Sequence, residues 1–212
     1  MPPADHSDGA FSALRRFARP RAPVERCDLC GLELPAGHDH LIEPGRREMA
    51  CACPACALLF TGRAGARYKR IPRDVALLEG FSLTDAQWES LRLPISLAFF
   101  YESTPQSRVV ACYPSPAGAT ESLLELETWS ELRARNPVLA RLEPDVEALL
   151  VNRTSAPGDH LIVPIDECFK LVGLIRMHWK GLSGGTQVWK EISAFFAALH
   201  ERARPIAEAM HA

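Results

Sequence analysis

Two Cys-x-x-Cys pairs, Cys27-Asp-Leu-Cys30 and Cys53-Pro-Ala-Cys56, stand 22 residues apart and constrain the first third of this chain more than any other feature. Two intervening residues let one tight turn aim two thiolates at a single point. A second such turn, from the other end of a small β-element, completes a tetrahedron around a metal ion. A segment of about forty residues buries too little apolar surface to fold unaided, so the metal supplies much of its stability. Gly31, directly after the first pair, suits a backbone position with positive φ. Cys51 lies two residues before Cys53, as an alternative ligand or a nearby free thiol. His38 and His40 lie midway, either replacing a thiolate or sitting in an exposed turn after Pro35-Ala-Gly37, which is the reading we favour.

The chain holds seven cysteines, five of them within residues 27–56. An odd number, in a chain whose start lacks the apolar core of a secretion signal, argues against a disulfide framework and for clustered thiols that bind metal. The expected compartment is the cytoplasm, and no apolar run reaches the roughly 18–20 residues that cross a bilayer. Net charge is −2, but residues 1–73 carry twelve Lys and Arg against eight acidic residues, and residues 74–212 carry twelve against eighteen. The shift marks a boundary near Arg73. The basic excess forms no continuous stripe, which weighs against a nucleic-acid partner.

The chain divides into a tail (1–24), a cysteine module (25–61), a linker (62–80), a main domain (81–204) and a second tail (205–212). In the main domain, Thr84 with Gln87 forms a capping box for a short helix that stops before Pro94. Residues 95–102 (ISLAFFYE) and 108–113 (RVVACY) read as one hairpin, and residues 148–153 (ALLVNR) and 160–165 (HLIVPI) as another. Thr128 with Glu131 forms a second capping box, on a helix that breaks at Asn136-Pro137. Asp166 caps a helix over 167–180, and Thr186 caps a last one to about Arg204 whose buried face is Val188, Ile192, Phe195, Phe196 and Leu199. The fold class is therefore α+β: a small zinc-ribbon-like module, then an antiparallel sheet of two hairpins with helices packed on one face.

No catalytic set emerges, and the catalytic residues are read as none. Cys112 and Cys168 read as buried structural thiols, because no His, Asp or Asn near them in sequence would activate them. His178 beside Trp179 reads as a cation at a helix C-terminus. Ser183-Gly-Gly185 lacks the Lys and Ser/Thr of a phosphate-binding loop. Trp88, Trp129, Trp179 and Trp189 read as core anchors. The segment 113–121 (YPSPAGATE) reads as a strand-to-helix connection, with a rigid binding loop as the alternative.

The module resembles the rubredoxin knuckle pair, in which four such thiolates hold iron. Ala57 replaces the glycine of the second rubredoxin knuckle, and aromatic residues are sparse. Zinc is the favoured ion and iron the alternative; a [4Fe–4S] cluster would show a tighter run of cysteines. Across residues 25–203, CDLCG, CACPACALLF, LTDAQWESLRLPISLAFFY, VVACYPSPAGATESLL and LIVPIDECFKLVGLIRMHWKG are similar to an uncharacterised family found mainly in actinobacteria. Its members are often encoded among genes for [NiFe] hydrogenases of the actinobacterial type. The resemblance implies a non-enzymatic accessory role in assembling or maturing such an enzyme, through contacts with a hydrogenase subunit or maturation factor. Two alternatives stay open: a rubredoxin-like iron carrier of electrons for that enzyme, and a zinc-ribbon regulator that binds nucleic acid. The resemblance assigns no catalytic residue.

Overall fold

The computed structural model of the protein describes residues 24–122, 126–154, 158–181 and 183–207. Most of the first tail and the last five residues lie outside the described residues. The first sheet is small. Strands β1 (Asp39–Glu43) and β2 (Glu48–Ala52) form an antiparallel hairpin, and β3 (Lys69–Arg70) pairs with the other side of β1. Helix α1 (Pro54–Phe60) follows β2 directly.

A seven-stranded sheet forms the main body, in the order β10-β4-β9-β8-β5-β6-β7. Its strands are β4 (Ala76–Glu79), β5 (Leu97–Ser103), β6 (Arg108–Ser115), β7 (Gly118–Ser122), β8 (Glu147–Asn152), β9 (Asp159–Pro164) and β10 (Arg204–Ala207). All neighbours are antiparallel except β10 and β4. The helices are α2 (Asp85–Ser90), α3 (Leu126–Arg135), α4 (Ile165–His178) and α5 (Gly185–Arg202), with a 3₁₀ turn at Pro137–Arg141.

Both expected hairpins form, as β5–β6 and β8–β9. The helices, however, cover both faces of the sheet rather than one. Successive strand residues point to opposite sides. Phe99, Tyr101, Leu150 and Val163 pack with residues of α4 and α5, including Leu171, Ile192 and Phe196. Phe100, Ala111, Leu149 and Val151 pack with Trp129, Leu132 and Leu139 on the other side. The physical cause is visible in the runs LAFFY and ALLV. They are apolar at every position, as strands buried on both faces are, and do not alternate with polar residues.

Several boundaries differ from the sequence expectation. The segment 113–121 turns back as the β6–β7 hairpin instead of leading into a helix. Pro114 is tolerated there because the β5–β6 register ends at Cys112, leaving only β7 beside it. Residues 62–80, read as a linker, contain β3 and β4, one in each sheet. After α5 ends at Arg202, the chain adds an edge strand, a position where Pro205 costs least. The Thr84–Gln87 capping box is formed as expected. Thr128 is not at the N-cap position, because α3 already includes Leu126. Thr186 is not the cap of α5 either; Gly184 takes that position with φ +85°, where a Cβ would meet Val188 Cγ1 at 2.8 Å. Trp129 is a core residue stacked on Phe100, whereas Trp189 is 44 % exposed and donates to the Ser183 carbonyl.

Ile42 of β1 and Ile71 belong to the same apolar core as Phe99 and Leu171, so the cysteine segment is packed onto the main body. Lys69 Nζ bonds Asp145 at 2.7 Å, and Arg47 pairs with Glu121 of β7 across the same junction.

Candidate metal centre

The first Cys-x-x-Cys turn is closed by two backbone hydrogen bonds: Gly31 donates to the Cys27 carbonyl at 2.8 Å, and Cys27 to the Leu32 carbonyl at 2.8 Å. Gly31 adopts φ +77°, as its position in the turn requires. Arg26 and Glu33 flank this turn as an isolated antiparallel bridge. The turn is tied to β2 by Asp28, whose N–H donates to the Cys51 carbonyl at 2.9 Å and whose Oδ2 accepts from the Cys51 N–H at 2.6 Å.

The second pair is built differently. Cys53 is the N-cap of α1, Pro54 starts the helix, and Cys53 Sγ accepts the Cys56 N–H. The site is therefore made by a turn, a β-hairpin and a helix N-terminus, not by two turns at the ends of a β-element. The helix end adds backbone N–H groups and the favourable end of the peptide dipole to a place where thiolates gather.

The four sulfurs of Cys27, Cys30, Cys53 and Cys56 lie within 4.8 Å of one another. Cys30 and Cys53 Sγ are 3.7 Å apart. That is far beyond a disulfide bond. It matches the roughly 3.8 Å edge of a tetrahedron whose metal–sulfur bonds are about 2.3 Å. Cys27, Cys53 and Cys56 are buried and Cys30 is exposed. Burial opposes ionisation of Cys27, but N–H groups of Cys53, Leu29 and Cys30 outweigh it and bring the thiol down to about 6. Burial, together with the Cys30, Cys53 and Cys27 sulfurs, pushes Cys56 up to about 12. Among these four side chains, a dication is the group that would let all of them ionise together. The set could hold one metal ion.

Other residues singled out in the sequence fall into place. Cys112 and Cys168 are buried in the main core, and burial pushes the first to about 12 and the second well above the usual thiol range. Ser115 Oγ donates to the Gly118 carbonyl and lies 3.1 Å from Thr120 Oγ1, so both hydroxyls serve the β6–β7 turn. Glu121 is held by Arg47 and Arg108. Asp166 lies inside the first turn of α4 rather than capping it, and its Oδ2 is 2.6 Å from His40 Nδ1. His38 is not in an exposed turn: its side chain is 3 % exposed. The sequence held no local signal for that contact, because Asp166 and His40 are 126 residues apart.

A family model described as "Family of unknown function (DUF5947)" matches residues 26–203. No curated protein and no solved structure matches the chain.

Proposed function

We propose that the chain, which belongs to this family of unknown function, is a non-enzymatic accessory protein that docks onto another protein through a zinc-held module. Residues 25–61 form that module, with Cys27, Cys30, Cys53 and Cys56 as the zinc ligands, and residues 81–204 form the main domain. One observation carries the reading. Helix α1, which begins inside the cysteine cluster, leaves Leu58 (81 % exposed), Leu59 and Phe60 facing solvent. A run of large apolar residues on a surface marks a contact site, and the metal fixes its geometry. Leu29, Leu59, Phe60 and Tyr68 line a shallow groove of about 360 Å³ at the same place.

The partner we propose is a [NiFe] hydrogenase subunit or maturation factor, from the gene setting of the family that the sequence resembles. Mild pull-down from a hydrogen-oxidising host tests both statements. The wild-type chain should recover a hydrogenase-related protein, and Leu58→Asp/Leu59→Asp should lose it while keeping its metal. Recovery of no such protein by the wild type would count heavily against the partner.

A second reading has one observation in its favour. The exposed Cys30 sulfur would give electrons a short path from an iron ion to a partner. This would make the protein a rubredoxin-like carrier. The nucleic-acid reading has less support, because basic residues of the module and of the segment that follows it are paired with carboxylates. Arg26 pairs with Glu33, Arg67 with Glu43, and Arg70 and Arg73 with Asp39.

A further inference from the structure

A second cluster of metal-ligating side chains, apart from the four-cysteine set, lies at the junction with the main body. His40 of β1 and Cys51 of β2 are directly opposite each other in the hairpin register. His38 is two residues before His40, and alternate residues of an extended chain share a face. One ring nitrogen from each histidine and the Cys51 sulfur lie within 4.8 Å of one another, and the two imidazole centroids are 4.9 Å apart.

The hydrogen bonds fix which nitrogens are available. His38 Nδ1 lies 3.0 Å from the Pro35 carbonyl, which can only accept, so Nδ1 carries the proton and Nε2 carries a lone pair. That Nε2 is buried and has no hydrogen-bond partner among the described residues. The side chain is 3 % exposed, and a buried unpartnered nitrogen of this kind is costly unless something binds it. His40 Nδ1 faces Asp166 Oδ2 at 2.6 Å, which leaves its Nε2 as a second lone pair. A carboxylate behind an imidazole, fixing its tautomer and raising its basicity, is the arrangement found behind metal-bound histidines.

We propose that His38, His40 and Cys51 form a second metal site, separate from the four-cysteine cluster. Two imidazoles and a thiolate select a divalent transition-metal ion of the zinc class over magnesium or calcium. Three protein ligands leave a fourth position, as in zinc sites that exchange water or substrate. His38, His40 and Cys51 themselves line a cavity of about 530 Å³, together with Glu25, Asp166 and Lys170. Asp166 is a positioning residue: it comes from α4 of the main body, so this site is completed only where the two sheets meet. The inference is independent of the docking role above.

Zinc content after equilibrium dialysis of the full chain against excess free zinc tests it. The wild type should hold two zinc ions per chain. His38→Asn/His40→Asn should hold one, with an unchanged circular dichroism spectrum. Cys51→Ala, which removes a single sulfur from a partly exposed position, should also lose the second ion and keeps the test open if the histidine variant does not fold. Equal zinc content in the wild type and in Cys51→Ala would overturn the proposal.

Discussion

Cys53 caps α1 with its sulfur and faces three other sulfurs with the same atom. Such sharing explains why its surroundings are so specific: Pro54 starts the helix, and Cys56 follows one turn later. Asp166 shows the same economy. It occupies the favourable first turn of α4 and accepts from His40 of the other sheet. The Asp166 carboxylate raises the His40 pKa above its ordinary 6.5, first through the hydrogen bond and then through its charge, with burial opposing. A raised cationic pKa adds stability that is full below about pH 6.5 and is lost as pH rises through the folded value. With no ion on His40, whose binding would displace the same proton, the melting temperature of the wild type should therefore exceed that of Asp166→Asn most at about pH 6 or below, with the gap narrowing as pH rises above 6.5. A gap that widens with rising pH over that range would contradict the assignment.

At the scale of elements, β5 is the centre of the main sheet's packing. Phe100 is fully buried and stacks on Trp129 with ring centroids 5.7 Å apart. Phe100→Ala should cost about 3–5 kcal/mol, read as a lower denaturant midpoint at an unchanged slope. The hairpins were legible because long apolar runs flank short polar turns, and α5 because its apolar spacing is helical. Burial of the sheet on both faces was written in the same unbroken runs, although the hairpin pattern alone points to one covered face. β4, β7 and β10 were not legible. Each is short and two are edge strands; the partners of β4 and β10 lie far along the chain, and β7, although it turns straight back on β6, reads GATES with no apolar period to mark it. The Thr128 capping motif is present in the sequence, but the helix already runs from Leu126, which places Thr128 inside it. That Cys27, Cys30, Cys53 and Cys56 gather at one point was legible from spacing. The turn-and-helix construction of their site was not, because Pro54 after a cysteine reads equally as a turn or a helix start.

Across the whole molecule, the cysteine segment and the main body share one core through Ile42 and Ile71, and salt bridges across the junction align them. Among the described residues, no helix is long and apolar enough to cross a membrane. The metal would thus do more than hold a forty-residue appendage, on the order set by how little such a segment can bury. It would hold the exposed face of α1 and the His40–Asp166 contact in place together. The proposed function depends on the identity of that ion. The deciding measurement is elemental mass spectrometry with an ultraviolet–visible spectrum, on untagged protein expressed in iron-replete cells and purified without added metal. The account predicts at least one zinc per chain, no iron and no visible absorption. One iron per chain with a sulfur-to-iron charge-transfer spectrum that bleaches on dithionite would contradict it and make Cys27, Cys30, Cys53 and Cys56 an electron-transfer site.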